Sequence, residues 1–229
     1  MRGSPARLAV ERLRLGRFRS YEMAEIATGG ASVALFGPNG SGKTNLLEAV
    51  SLLVPGRGLR RAAPEELARR PDGAGWRLRA EVATPDGPLE IVTGADPAEP
   101  ARRRVEIDGR AEAQTRLGEH LRMVWLTPAL DRLWTEAAGE RRRFLDRIAL
   151  GFAPAHAQAS IDYEKAMRAR NRLLKEGDGD PAWLSGLEAQ MAPLGAAIAR
   201  ARAEAMARIA AAGEAAGGMF PRAELSILG

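Results

Sequence analysis

The sequence predicts an α/β fold with a mixed first part, residues 1–134, and a helical second part, residues 135–229. Apolar and charged residues alternate repeatedly in the first part, which indicates half-buried strands and β-hairpins. A glycine-rich loop between an apolar run and a helical run interrupts these hairpins. In the second part, apolar residues recur at steps of three and four, which is typical of packed helices.

The first part begins with strands. Residues 8–15 alternate apolar and charged with one slip near Glu11, and residues 23–26 suggest a second strand before the Gly29-Gly30 turn. The apolar run 31–36 predicts a strand that is buried on both faces of a sheet, and residues 45–53 predict a helix. Further strands are predicted at 76–82 and 89–93, which form a hairpin, at 105–107 before the Asp108-Gly109 turn, and at 121–126.

Helices dominate the second part. The pattern predicts helices near 140–150 and 157–175, then a third in which Asp180 is the N-cap and Pro181 the first residue. Its apolar residues step by three and four as a heptad seam, which favours packing within the chain over a partner site. We expect an antiparallel helix hairpin, with a kink or break at Pro193 and Gly195, and a final strand at 225–228. The seam consists of Leu184, Leu187, Met191, Leu194, Ile198 and Ala201.

The bulk composition narrows the function classes. The chain has 229 residues, of which 45% are hydrophobic, so it can form one large or two smaller globular domains. It has no cysteine, which excludes disulfides and thiolate metal sites, and His120 and His156 are interpreted as surface or packing residues. No apolar run is long enough to span a membrane and the N-terminus lacks a signal peptide, so we expect a cytoplasmic protein. The net charge of +5 permits an anionic partner.

The glycine-rich loop is a complete phosphate-binding motif, G-x-x-x-x-G-K-T, in the strand–loop–helix setting that such a site requires. Backbone N–H groups of residues 39–44 can cradle phosphate oxygens, and the helix N-terminus adds partial positive charge. Lys43 is expected to reach the β- and γ-phosphates of ATP, and Thr44 to place its hydroxyl on Mg²⁺. The predicted nucleotide-binding residues are Gly37, Pro38, Asn39, Gly40, Ser41, Gly42, Lys43 and Thr44.

The choice of lysine in this loop is informative. The chain has only three lysines, Lys43, Lys165 and Lys175, and its basic residues are otherwise all arginines. A compact ammonium fits a phosphate cradle that a guanidinium would overfill. The first part is therefore predicted to be a P-loop NTPase lobe with antiparallel hairpins.

Several motifs resemble the RecF and SMC group of DNA-repair ATPases. The strand 13–15 followed by Phe18-Arg19-Ser20-Tyr21 is similar to the opening motif of that group, and so is the loop form 37–45 with Asn39 and Asn45. Two later stretches, each in two parts, resemble the RecF family in particular, and the likeness extends over nearly the whole chain. They are Val124-Trp125-Leu126-Thr127-Pro128 with residues 139–147, and Tyr163-Glu164-Lys165-Ala166-Met167 with residues 170–175.

The resemblance implies an ABC-type ATPase head, with only the N-terminal part of lobe I in residues 1–134 and helical lobe II in residues 135–229. By the same likeness, the C-terminal part that completes the lobe I sheet in this family is missing from residues 1–229. It implies ATP and Mg²⁺ as cofactors, DNA bound without sequence preference at single-strand/double-strand junctions, an ATP-dependent homodimer and other recombination mediator proteins as partners. By the same likeness the function is repair at single-strand gaps and stalled replication forks, in recombinational repair and the SOS response. Phe18 and Arg19 would lie near the base or ribose, whereas the residue pattern alone equally allows Phe18 to be a core residue at a strand end.

The sequence departs from this family pattern at four motifs. A signature motif, a Walker B strand ending in paired acids and a switch residue are missing from residues 1–229, and Leu126-Thr127-Pro128 stands where a Q-loop glutamine is usual. The stretch 184–190 mimics a signature motif, but we reject it because Leu184 and Leu187 belong to the heptad seam. The acidic Walker B residue supports Mg²⁺ and activates the attacking water, so we expect weak nucleotide binding without useful hydrolysis, and no catalytic residue is assigned.

Two basic clusters are candidates for DNA contact. The first shares one helix face at steps of three and four, and the second is the run Arg141-Arg142-Arg143. A solvated helix face is the alternative for both. The first cluster consists of Lys165, Arg168, Arg172 and Lys175.

Other functions also stay open, namely an SMC-type structural head, a transporter-type ATPase, and a nucleotide-binding fragment without activity.

Overall fold

The computed structural model describes residues 8–71, 75–133, 135, 137–177, 180–216 and 224–227. The chain divides into two compact units, Met1–Trp125 and Leu126–Gly229. We expected the boundary after residue 134, within the segment that precedes the first long helix of unit 2.

Unit 1 is built on an antiparallel sheet whose strands follow the order β2-β1-β3-β4-β5-β6. Four pairs of strands that are consecutive in the chain form antiparallel hairpins, namely β1–β2, β3–β4, β4–β5 and β5–β6. Strand β1 also pairs with β3, which joins the first hairpin to the others. The predicted hairpins are therefore confirmed. The strands are β1 (Ala9–Phe18), β2 (Tyr21–Ala27), β3 (Trp76–Thr84), β4 (Gly87–Ala95), β5 (Arg103–Ile107) and β6 (Arg110–Glu112).

The alternation of side chains sets one buried and one exposed face on this sheet. Leu13 and Leu15 of β1 and Leu78 of β3 are buried, while the arginines between them point to the other face. The slip predicted near Glu11 is a register shift in the β1–β3 pairing between Val10 and Arg12. A bulge of this kind keeps the apolar residues on one face on both sides of the irregularity.

Helix α1 (Lys43–Ser51) packs its apolar residues into the core of unit 1. Leu46 and Ala49 are buried on this helix, and Leu52 and Leu53 follow it as fully buried residues. A short helix, α2 (Leu117–His120), also contributes to the core through Leu117. The predicted helix at 45–53 is thus confirmed, with its bounds shifted by two residues.

Three predicted strands are wrong. Residues 31–36 and 121–126 are in no strand, nor are the described residues 224–227, while Leu228 lies outside the described residues. The side chain of Phe36 is 95% exposed. A continuous apolar run forms a strand only when neighbouring strands satisfy its backbone, and no described strand pairs with these segments.

Unit 2 contains three long helices, α3 (Ala138–Phe152), α4 (Ala155–Glu176) and α5 (Pro181–Ala216). Arg170 of α4 pairs with Glu188 of α5 at 2.8 Å, and Gly195 of α5 lies against Tyr163 of α4. The contact partner on α5 is later in the chain when the residue on α4 is earlier, so the two helices run antiparallel and form a hairpin, as predicted. Every residue of the predicted seam is buried or half-buried, which confirms packing within the chain.

Of the kink or break expected at Pro193 and Gly195, the break is absent, because α5 continues through both residues. Buried residues anchor the helix on both sides of them, Leu187 before and Ile198 after. Packing over such a length outweighs the loss of one backbone hydrogen bond. The expected N-cap is present, since Asp180 accepts a hydrogen bond from the N–H of Ala182 at 2.9 Å.

A polar cluster ties the three helices of unit 2 together. Asp146 of α3 accepts two bonds from Arg202 of α5, at 2.7 and 2.9 Å. His156 of α4 is buried, and its Nε2 lies 2.9 Å from Asp146 Oδ1. Since a carboxylate only accepts, Nε2 is the protonated nitrogen in this contact. His156 is therefore a packing residue, as expected. Among the described residues, no helix has the length and apolar character to cross a membrane.

Candidate nucleotide-binding site

The predicted phosphate loop lies open on the surface of unit 1. Residues 37–41 are exposed, and α1 begins directly after Gly42. The loop and the first turn of α1 line a cavity of about 200 Å³, together with Arg60. Pockets for whole small molecules usually measure about 300–1,000 Å³. The cavity is therefore smaller than a pocket that encloses a whole nucleotide.

Gly42 is the point at which the loop meets the rest of the unit. Its φ of 94° lies in the left-handed region, and it is the N-cap of α1. A Cβ at this position would come within 2.6 Å of the Tyr21 hydroxyl and 3.2 Å of the Ser20 hydroxyl. Conformation and close packing therefore both require glycine here, for reasons that are independent of any ligand.

The side chain of Lys43 folds back onto the backbone of the phosphate loop. Its ammonium donates to the carbonyl oxygens of Gly37 at 2.8 Å and Pro38 at 2.7 Å. An ionised phosphate oxygen is a stronger acceptor than these neutral carbonyls, because it adds the attraction between opposite charges. A bound phosphate would thus attract the same ammonium. Thr44 is exposed in the first turn of α1, at the mouth of the cavity.

The turn between β1 and β2 holds α1 through three successive contacts. Tyr21 packs on Gly42, the Ser20 hydroxyl accepts from Asn45 at 2.8 Å, and Arg19 binds Glu48 through two bonds of 2.8 Å each. The contacted residues are the N-cap Gly42 and, three and six positions later, Asn45 and Glu48 of α1, so they lie on one face of the helix. This packing gives a physical reason why the Arg19-Ser20-Tyr21 motif accompanies the phosphate loop.

The side chain of Phe18 does not reach the nucleotide site. It is fully buried and meets Trp76 edge-on at 5.5 Å between ring centroids. A side chain without exposed surface cannot contact a base or ribose, so the alternative of a core residue at a strand end is confirmed for Phe18. The placement of Arg19 near the base or ribose stays a prediction. The guanidinium of Arg19 binds Glu48 and the carbonyl oxygen of Glu66.

Arg60 belongs to this site, although sequence analysis did not identify it. Its Nη1 donates to Asn45 Oδ1 at 2.8 Å and to Glu48 Oε2 at 3.1 Å. The residue follows the Gly56-Arg57-Gly58 break, which gives no more than a loop prediction. With 31 arginines in the chain, nothing in the sequence distinguishes this one. Only the path of the chain after α1 brings it to the cavity.

The candidate DNA-binding residues lie in unit 2. All four members of the basic cluster on α4 are exposed, and Arg168 pairs with Glu164 on the same helix. Of the second cluster, Arg142 and Arg143 are exposed on α3, and Arg143 pairs with Glu140. The stretch 184–190, which mimics a signature motif, lies within α5. It is therefore part of the seam helix, which is the reason for rejecting it as a signature motif.

Comparison with known proteins identifies a matching family model and similar proteins. A family model described as "AAA domain, putative AbiEii toxin, Type IV TA system" matches residues 32–211. The DNA replication and repair protein RecF of Mesorhizobium japonicum is 48% identical over 229 residues, covering 98% of this chain and 60% of that protein. RecF of Caulobacter vibrioides is 46% identical, with 98% and 61% covered. This chain thus spans about 60% of the length of these relatives.

Solved structures show the same fold. The recombination mediator protein RecF in complex with ATP is 21% identical and matches with a TM-score of 0.79, covering 93% of this chain and 57% of that one. A second RecF structure, described as RecF-ATPrS, matches with a TM-score of 0.80 over 91% of this chain and 57% of that one. The chain belongs to the AAA-domain family of P-loop proteins and, within it, to the RecF proteins.

Proposed function

We propose that this chain is an ATP-binding DNA replication and repair protein that holds the phosphates of ATP in the loop 37–44. The observation that carries this proposal is the cavity at the N-terminus of α1, lined by residues 39–45 and Arg60. It combines a helix N-terminus, an ammonium and a guanidinium, all of which favour an anion. The relatives with a RecF name support the same function.

Each residue of the loop has a role in this proposal. Lys43 exchanges its two carbonyl partners for oxygens of the β- and γ-phosphates, and Thr44 offers its hydroxyl to Mg²⁺. Gly42 lets the backbone approach the phosphates while the β1–β2 turn supports it from behind. When bound, Mg²⁺ neutralises phosphate charge. The chain itself provides the cradle and its orientation.

The binding test compares ATP with Mg²⁺ on the wild type and on Lys43→Ala by calorimetry. We expect Lys43→Ala to weaken binding at least tenfold, because a charge-assisted contact to phosphate is lost. The matched control is Lys165→Ala, which removes an exposed ammonium from unit 2 and leaves the cavity intact. Equal ATP affinity in all three proteins would exclude the loop as the site.

We also propose DNA as the macromolecular partner, bound through the basic cluster on α4. These four side chains are exposed on one helix face, where they can contact phosphates without reading sequence. Reversing Lys165, Arg168 and Arg172 to Glu should weaken DNA binding and make it less dependent on salt. The control reverses three exposed arginines of unit 1 with the same change in net charge, namely Arg102, Arg110 and Arg122. Equal losses in both triple variants would show a general charge effect instead of a site.

The finer parts of the proposal concern the assembled protein. They are action at single-strand gaps and stalled forks in recombinational repair and the SOS response, ATP-dependent homodimerisation, and work with other recombination mediator proteins in the cytoplasm. They also include lobes I and II at residues 1–134 and 135–229, and ATP binding without appreciable hydrolysis by residues 1–229. A shift to dimer on a sizing column with ATP, absent for Lys43→Ala, would support the dimer. An unchanged elution volume with saturating ATP would contradict it.

A further inference from the structure

Glu48 is a fully buried carboxylate with two arginine partners. Its side chain has 0% exposure, and it sits on α1 one turn beyond Asn45. Arg19 holds both of its oxygens at 2.8 Å, and Arg60 approaches Oε2 at 3.1 Å. Because one negative charge faces two positive charges, the cluster keeps a net charge of +1. That surplus lies on the side of the phosphate cavity, where Arg60 is part of the lining.

The two arginines are held differently. Arg19 forms a two-bond fork with the carboxylate and a further bond to the carbonyl oxygen of Glu66 at 2.9 Å, so its position is fixed. Arg60 contacts Glu48 and Asn45 through Nη1, and its side chain is 42% exposed. A guanidinium has five N–H donors, so the two described bonds leave donors that can face the cavity.

We propose that Glu48 is a positioning residue that holds Arg60 at the phosphate cavity, with Arg19 fixing the carboxylate from the opposite side. This inference rests on the proposed nucleotide site. An arginine on a loop has many rotamers, and holding it in place before binding reduces the entropy lost when a phosphate arrives. The buried carboxylate thus acts on the nucleotide only through Arg60.

The test is a double-mutant cycle on the full chain, with the affinity for ATP and Mg²⁺ measured by calorimetry. Glu48→Gln and Arg60→Gln are each expected to weaken binding about tenfold, which is about 1.4 kcal/mol. In the Arg60→Gln background, Glu48→Gln should have no further effect, because the residue it positions is already absent. A purely structural role of Glu48 would weaken binding equally in both backgrounds, and that result would overturn the proposal, as would unchanged or tighter binding by Glu48→Gln.

A second variant addresses folding. Glu48→Gln leaves two arginines without their counter-charge, so the paired replacement Arg19→Met with Glu48→Met removes the fork as a unit. Apolar replacement of a whole buried ion pair is often well tolerated. This variant should keep the melting temperature near that of the wild type and lose the same tenfold in affinity, again with no further loss on Arg60→Gln. Wild-type affinity in a folded Arg19→Met/Glu48→Met protein would refute the positioning role.

Lys43→Ala separates this inference from the proposed function. If Lys43→Ala abolishes ATP binding and the cycle is additive, the nucleotide site stands and only the role of Glu48 fails. If Lys43→Ala binds like the wild type, the nucleotide site itself fails, and the positioning role fails with it.

Discussion

Replacing Arg103 by Met should destabilise unit 1 and loosen the far end of the phosphate-loop helix. Arg103 lies on β5 with 8% of its surface exposed. It donates from Nε to the Thr93 hydroxyl at 2.8 Å, from Nη1 to the Gly56 carbonyl at 2.7 Å, and from Nη2 to the Leu52 carbonyl. Leu52 is the C-cap of α1, so a positive charge here also complements the helix dipole.

The size of the effect follows from two opposing terms. Burial lowers the pKa of Arg103 to about 10, so the guanidinium remains charged at pH 7. Holding that charge costs about 3 kcal/mol, because each pKa unit corresponds to about 1.4 kcal/mol. Three bonds from a charged donor contribute about 2 kcal/mol each, or about 6 kcal/mol together. The difference leaves a net loss of about 3 kcal/mol for Arg103→Met.

Urea unfolding followed by tryptophan fluorescence measures this loss, since Trp76 packs in the core of unit 1. The control is Arg104→Met, which changes the next residue of the same strand on the exposed face. Arg104 pairs there with Glu99 at 2.7 Å, and an exposed pair contributes about 0–1 kcal/mol. If the two variants unfold within about 0.5 kcal/mol of each other, the account of Arg103 is refuted.

Two further predictions concern Asp146 and the loop glycines. Asp146→Asn should destabilise unit 2 by about 1–3 kcal/mol at pH 7, measured by urea unfolding. Burial alone would raise the pKa of Asp146, but hydrogen bonds from His156 and Arg202 lower it overall. The lowered pKa makes this stabilisation present above about pH 4 and lost as the pH falls through the native pKa, so an equal difference at pH 7 and pH 3 would contradict it. Gly42→Ala should cost more stability than Gly40→Ala, because both have positive φ but only Gly42 meets Tyr21, and equal melting temperatures would contradict this.

Local patterns predicted much of the fold correctly. The alternation along β1 and β3 follows from one buried sheet face, and even the slip near Glu11 corresponds to a real register shift. The heptad seam of α5 predicted its buried side, and the glycine-rich motif predicted the start of α1. These features depend on residues that are close in sequence, which is why a sequence shows them.

Features that depend on distant residues were not predicted. The run 31–36 has the composition of a central strand, but a strand also needs neighbours, and the described strands offer none to it. The same limit applies to the site. Arg60 reaches the cavity through the chain path after α1, and Arg103 reaches the C-terminus of α1 from β5, some fifty residues later in the chain. Neither position differs in local pattern from the other arginines.

The proline in α5 shows how tertiary packing limits the effect of a local signal. Pro193 locally disfavours a helix, yet the helix continues because its residues pack on α4 over a long stretch. A polar contact supports the later part, where Arg202 binds Asp146 of α3. Tertiary packing therefore keeps the helix continuous past a residue that locally favours a kink or a break.

Calorimetric titration of ATP with Mg²⁺ into the wild type and Lys43→Ala is the most direct test of the central claim. We expect saturable binding by the wild type and at least a tenfold weaker affinity for Lys43→Ala, with both proteins equally stable to heat before ATP is added. Equal affinity in the two folded proteins would contradict the assignment of the loop 37–44 as the nucleotide site.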